Sequence, residues 1–138
     1  YMSALKKNNL DVEEDLIIYN RLTRVDGLTA IKKLMSLDKP PDAVFCGNDT
    51  SALSMIIYLR DKGIRIPEDF CIIGFSNEPF SEFVSPSLST IKQPAFEMGQ
   101  KAAELLITEI ESKLTPLKYQ TILMPTELII RESSLRKL

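Results

Sequence analysis

The residues that can do chemistry in this chain fall into three polar clusters: Asn20 to Val25, Gly47-Asn48-Asp49, and Ser76-Asn77. Each follows a short apolar run. Asn48 can both donate and accept, which suits a sugar hydroxyl or a purine edge, and Ser76 offers a hydroxyl with Asn77 beside it. Leu22 and Phe45 can supply the apolar wall that small-molecule pockets usually have. Blander roles compete for the same residues. Asp49 reads as a helix cap rather than a ligand contact, Asn48 fits either role, and Phe45 fits the core by its period. Phe80, Phe83 and Val84 lie close together in a short loop segment, which favours burial in the core or under a partner.

Other chemistry is excluded more firmly. The chain has no histidine, which removes the commonest general base and most zinc sites. Without a base, Ser76 is a poor nucleophile. Glu13-Glu14 and Glu109 with Glu111 read as solvated faces. The five glycines form neither a dinucleotide fingerprint nor a phosphate loop. The residues point to a binding protein, not an enzyme, with no cofactor and no metal.

The elements that must position these clusters follow from the apolar pattern. Phe70 to Phe75 is a short apolar run after a helix ending at Gly63, with Pro67 in the turn, and reads as a strand buried on both faces, as in a parallel sheet. Leu16 to Tyr19 and Ala43 to Gly47 read as two more strands. Asp26 can cap the helix between them, whose stripe is Ala30, Ile31, Leu34 and Met35 and which ends at Lys39-Pro40-Pro41. Ala52, Leu53, Ile56, Ile57 and Leu59 face the core from the next helix. The order is βαβαβ with short loops, which specifies parallel strands. Ligands of such sheets bind outside the carboxyl ends of the strands, where all three polar clusters fall.

Downstream, Ser87 to Lys92 reads as extended. Pro94 opens a helix over about 95–113, where small Gly99 and Ala103 would allow close packing on the sheet. Residues 119–124 and 127–130 read as two short strands, and the polar tail from Arg131 is expected to fray. The first eight residues look helical with no cap in front, as in a piece that begins inside a helix of a longer protein. A length of 138 residues fits one domain with a single core, and 44% apolar residues is ordinary for a globular chain. The net charge of −2, with Lys and Arg dispersed, argues against a nucleic-acid-gripping face. Cys46 and Cys71 read as free core thiols and fit a reducing, cytoplasmic setting.

Several segments together resemble the LacI/GalR family of bacterial transcription regulators. They are Pro41-Asp42-Ala43-Val44-Phe45-Cys46-Gly47-Asn48-Asp49 with Ala52, then Gly63 to Asp69 running into Ile73-Gly74-Phe75. Pro86 to Pro94, Met98-Gly99 with Ala102, and Pro125, Leu128, Arg131 and Ser133 complete the set. The resemblance covers the carboxyl-terminal half of the effector-binding domain. It implies an α/β fold, a three-layer α/β/α sandwich with a mainly parallel sheet, of the periplasmic-binding-protein-like type I. It also implies a small-molecule effector in a cleft between two subdomains. By motif position, Asn48, Ser76 and Asn77 would be polar effector contacts, with Phe45 and Leu22 as wall. Leu53, Phe80, Phe83 and Val84 would pack in a homodimer. An amino-terminal helix-turn-helix and the other subdomain, absent from this chain, would read operator DNA and complete the cleft. A transport-type sugar-binding protein of the same fold is the alternative.

One position departs from the family pattern. The family usually has Asp after the Gly-aromatic pair, where this chain has Ser76. A serine hydroxyl cannot accept two hydrogen bonds from a sugar diol as a carboxylate can, and it brings no charge.

Overall fold

The computed structural model describes residues 1–111 and 120–136. Its order is α1 (Met2–Lys7), α2 (Arg24–Met35), β1 (Ala43–Phe45), α3 (Asp49–Asp61), β2 (Cys71–Phe75), β3 (Ser89–Lys92), α4 (Ala95–Glu111) and β4 (Glu127–Ile129). Three single turns of 3-10 helix stand at Glu14–Leu16, Pro79–Glu82 and Glu132–Ser134. The sheet runs in the order β1-β2-β3-β4. β1 and β3 are parallel to β2, and β4 closes the far edge antiparallel to β3. This is an α/β fold with a mostly parallel sheet.

The core lies where α2 packs on α3 and α3 packs on β2. Ile31, Ile56, Leu59, Phe70, Ile72 and Leu88 are all almost wholly buried. Each such side chain contributes about 1.5–3 kcal/mol when taken from water. Gly27 lets the two helices approach closely, because a Cβ there would meet the Ser51 backbone of α3.

The starts of α2 and α3 are fixed by side-chain caps. At α2 the cap is Thr23, not Asp26 as the sequence reading had it: Thr23 Oγ1 accepts from Asp26 N at 3.2 Å, and the Asp26 carboxylate accepts from the Thr23 N–H. Asp26 is the third residue of a reciprocal capping box. At α3 the cap is Asn48, whose Oδ1 accepts from Ser51 N at 2.9 Å. Asp49, expected as the cap, is instead the first residue of the helix.

Five further expectations fail. Residues 16–19 are not a strand: Glu14–Leu16 closes a 3-10 turn, and a strand needs a partner ladder that no described residue supplies there. The segment Leu16–Ile18 instead faces β1 across a cavity of about 220 Å³. In consequence β1 is not buried on both faces; Ala43 and Phe45 are exposed and Val44 half-buried. Residues 120–126 carry no strand; pairing begins at Glu127.

α4 does not pack its small residues on the sheet. It has no buried residue, and a Cβ on Gly99 would meet nothing within 4 Å. Phe96, Leu106, Ile107 and Ile110 stand open to solvent. Residues 112–113, 114 and 119 of the expected helix and strand lie outside the described residues.

The tail does not fray through residue 136. Ser133 is fully buried; its Oγ donates to Ile72 O at 2.6 Å and accepts from Ser89 N at 2.9 Å, so it ties the β2 and β3 backbones together. Arg136 reaches back to the Asp42 carboxylate at 2.9 Å.

Candidate functional site

Parallel strands put their carboxyl ends on one edge, and there the structure gathers Leu22, Phe45, Gly47, Asn48, Phe75, Ser76, Asn77 and Gln93. The backbone at this edge is unusual. Positive φ occurs at four non-glycine residues among those described: Asn9, Leu22 (59°), Ser76 (112°) and Asn77 (53°). Three of the four, Leu22, Ser76 and Asn77, are at this edge. Such conformations cost on the order of 1–3 kcal/mol each and persist only where surrounding contacts fix them.

Those contacts can be traced. Leu22 N donates to Asn20 Oδ1 at 2.9 Å, a local turn that tolerates the inverted backbone. Leu22 O accepts from Asn48 Nδ2 at 2.9 Å. Asn48 therefore spends its carbonyl oxygen on capping α3 and one amide hydrogen on Leu22, leaving one N–H. The Leu22 side chain lies over Gly47; a Cβ there would come within 2.9 Å of Leu22 Cδ2. A side chain at 47 would thus displace the Leu22 side chain from its place.

Phe45 is 52% exposed, which decides against the core role that its period favoured. Its ring meets Phe75 edge-on, with centroids 6.5 Å apart and planes at 87°. Leu22, Phe45 and Phe75 supply apolar surface, as a ligand wall requires.

Ser76 N stays in register with β3, donating to Ile91 O at 2.8 Å. Its half-buried side chain turns toward Gln93, whose Nε2 donates to Ser76 Oγ at 3.2 Å. A carboxamide cannot take a proton, so this pair does not activate the hydroxyl; it leaves the Ser76 O–H free to donate to a ligand. Asn77 is held rather than free. Its N–H donates to Thr90 Oγ1 at 3.2 Å, and its Oδ1 accepts from Arg131 Nη2 at 3.0 Å.

Beneath the edge sits Asp49, fully buried. Its Oδ1 accepts from Thr90 Oγ1 at 2.7 Å and its Oδ2 from Glu78 N at 2.7 Å. It braces the Ser76–Asn77 turn from below and lies against Gly74, where any Cβ would collide with Oδ1. Burial, then the Asp49 charge, pushes the Cys46 thiol up to about 12. No cluster of His, Cys, Asp or Glu among the described residues is arranged to hold a metal ion.

The second group of candidates lies elsewhere. Phe83 is 83% exposed, Phe80 and Leu53 are half-buried, and Val84 packs partly against the core. Arg60 Nη1 donates to Ser85 O at 2.9 Å and so fastens this segment to α3. Nearby, α2 and α3 bound a groove of about 430 Å³ lined by Val25, Leu28, Ile57 and Tyr58, with Arg24 and Asp61.

Sequence reasoning missed Gln93, Thr90 and Arg131 as site residues. The strand-end rule, applied once more to β3, would have found Gln93. Thr90 and Arg131 gave no local signal, because their roles arise from partners about 13 to 54 residues away.

Comparison with known proteins agrees with this architecture. Residues 1–134 match the periplasmic binding protein-like domain family. The chain is 40% identical over 113 residues to the HTH-type transcriptional repressor PurR of Vibrio cholerae, covering 82% of this chain and 34% of the repressor. It superimposes on the transcriptional regulator LacI from Bacillus cereus subsp. cytotoxis with a TM-score of 0.90 at 29% identity, covering 99% of this chain and 48% of that one. The transcriptional regulator CelR–cellobiose complex gives a TM-score of 0.88 at 30% identity, over 97% of this chain and 40% of CelR. The chain thus spans about a third to a half of the length of these relatives. It belongs to the periplasmic binding protein-like family, among the effector-binding domains of LacI-type transcriptional regulators.

Proposed function

We propose that this chain is the ligand-sensing and dimerisation part of a LacI-type DNA-binding regulator. The observation that carries the reading is the strand-end edge: strained Leu22, Ser76 and Asn77 surround an aromatic wall and a free hydroxyl donor, without a catalytic base. Backbone strain of this kind gathers where a ligand is bound or a switch is set. Asn48 and Ser76 meet the effector as donors, Phe45 and Leu22 wall it in, and Asn77 shapes the turn beneath. The effector is sugar-like or nucleobase-like. The relatives are regulators rather than enzymes or transport proteins, and CelR is described with cellobiose.

The remaining parts of the machine belong to the same proposal. The chain is the carboxyl-terminal portion of the effector domain, and the rest of the cleft and a helix-turn-helix belong to segments outside it. The unpaired edge of β1 and the open apolar face of α4 are surfaces fit for those segments. Leu53, Phe80, Phe83 and Val84 form the dimer face with a second copy, beside the α2–α3 groove. The regulator works in the cytoplasm, where operator DNA is. Effector binding changes operator affinity only through different affinity for two closure states.

The test is a melting experiment on the full-length protein with cellobiose, ribose, adenosine and guanine. A ligand at about 100 times its dissociation constant stabilises the native state by about 2.7 kcal/mol. At least one of these classes should raise the melting temperature, and Ser76→Asp should change which one. If none does so at millimolar concentration, the sensing role is wrong. Leu53→Lys and Phe83→Lys should lower the mass in solution; if both leave it unchanged, the dimer face is misplaced.

A further inference from the structure

Arg131 links the two candidate regions. Its side chain is 12% exposed although it bears a full charge. The guanidinium makes four contacts to a single stretch of chain. Nη1 donates to Leu88 O at 2.8 Å and Ser81 Oγ at 3.2 Å, and Nη2 donates to Asn77 Oδ1 at 3.0 Å and Glu82 Oε1 at 2.9 Å. Its backbone is pinned as well, with the N–H donating to Ser89 Oγ at 2.7 Å. A rigid planar fork of five donors can hold several acceptors in fixed relation, which a lysine ammonium on a flexible stem cannot.

The placement of the acceptors gives the contact its meaning. Asn77, at φ 53°, follows Ser76 in the strained turn at the strand ends. Glu82 precedes Phe83, the most exposed aromatic of the proposed dimer face. Asn77 lies two residues before the Pro79–Glu82 3-10 turn and Glu82 is its last residue, and the same nitrogen, Nη2, holds both. The turn is anchored from the other side by Ser81 Oγ donating to Glu78 O at 2.7 Å. Displacing the Asn77 carboxamide therefore releases one constraint on the guanidinium and shifts its hold on Glu82.

We propose that Arg131 is a positioning residue that joins the Ser76–Asn77 turn to the Glu82–Val84 segment, so that the two move as one body. Its role in sensing rests on the effector-site reading given above: an effector that engages Ser76 would be felt at the dimer face through this guanidinium. Coupling of this kind is reciprocal, so a change at Glu82 must also be felt at Asn77.

That reciprocity is measurable without any effector. Hydrogen exchange is followed by mass spectrometry in the full-length protein, comparing peptides covering 74–78, 80–86 and α3. Arg131→Met should speed exchange in both of the first two by about tenfold or more, as expected for losing hydrogen bonds to a charged group. Arg131→Lys should not restore them. The decisive variant is Glu82→Ala, whose side chain is 60% exposed and whose loss will not unfold the protein. It should speed exchange at 74–78 by about two- to fivefold, the range of an exposed ion pair, and leave α3 unchanged. In an Arg131→Met or Arg131→Lys background the same change should have no effect on 74–78. A merely structural arginine would loosen its surroundings without this dependence. If Glu82→Ala leaves 74–78 untouched, or acts equally with and without Arg131, the proposal is overturned. The sensor reading is tested separately by the melting experiment, so either can fail alone.

Discussion

Asp49→Asn is the substitution whose cost follows most directly from the structure. It preserves size and the α3 fold but removes the charge of a fully buried carboxylate. That carboxylate accepts from the Thr90 hydroxyl and from the Glu78 N–H, each at 2.7 Å. A carboxamide has one accepting oxygen and one donating nitrogen. The Glu78 N–H cannot turn away, so the oxygen must stay on it and the NH2 must face Thr90. Thr90 Oγ1 already accepts from Asn77 N, and its own proton then loses its acceptor. A hydrogen bond to a charged group contributes about 1.5–3 kcal/mol and a neutral one about 0.5–1.5, so weakening two costs about 2 kcal/mol. Losing the negative charge from the first turn of α3 adds about 0.3–1 kcal/mol. The expected destabilisation is about 2–3 kcal/mol, read as a lower urea midpoint by circular dichroism. Gly74→Ala tests the same group from the other side, since the new Cβ collides with Asp49 Oδ1 and lies 3.1 Å from Leu88 Cδ2. It should cost at least as much. A loss below about 0.5 kcal/mol in both variants would refute the idea that Asp49 braces the strand-end turn.

Two further outcomes concern the surface and the thiols. The Arg65 side chain bonds Asp69 and holds its carboxyl down from 3.8 to about 2. A depressed folded-state pKa gives stability that is present above 3.8 and lost as pH falls toward 2. Asp69→Asn should therefore lower stability slightly at neutral pH, with the deficit vanishing as pH falls toward 2, so that the acid limb of its stability–pH profile is flatter in that window; the effect is small because both side chains are exposed. For the cysteines, Cys46 is buried, bonded to Met55 Sδ at 3.5 Å and pushed up to about 12, whereas Cys71 is only half-buried. At pH 8 an aromatic disulfide reagent should titrate one thiol in the native protein and two after denaturation; rapid reaction of both in the native state would contradict the burial of Cys46.

The helices and central strands were legible because they depend on local signals. The apolar stripes of α2 and α3 bury Ala30, Ile31, Leu34, Ala52, Ile56 and Leu59. The run before Gly74-Phe75 forms β2 between two parallel neighbours. The misreadings share one cause, which is that strand status and burial are properties of partners. Leu16 to Tyr19 has the composition of a strand but faces a cavity in place of a ladder. Phe45 has the period of a core residue but sits at an edge that no described strand covers. The tail looked free because Arg131, Ser133 and Arg136 are polar; their partners at Asn77, Ile72 and Asp42 are far away in sequence. Thr23 and Asp26 show a milder version: the box was recognisable in type, but which member caps depends on where the backbone first turns helical.

The structure brings Leu22, Phe45, Asn48, Ser76 and Asn77 to one edge, but with a backbone that residue type did not foretell. Residue type shows that Ser76 can donate and that Leu22 is apolar, but not that both sit at positive φ, since neither is a residue that normally adopts it. Glycine at these positions would remove the strain, and the chain has glycine close to both, Gly47 against the Leu22 side chain and Gly74 two residues before Ser76. Those glycines are committed to clearance, Gly47 for the Leu22 side chain and Gly74 for the Asp49 carboxylate. The edge thus puts small residues where neighbours approach, and leaves the side chains of the proposed effector site beside them. The strained backbone is held by Asn20, Asn48, Thr90 and Arg131. An edge held by side-chain hydrogen bonds, not by backbone preference, responds to the gain or loss of a few such bonds. An effector that supplies or removes one of them can shift the balance, which is the property a sensor requires.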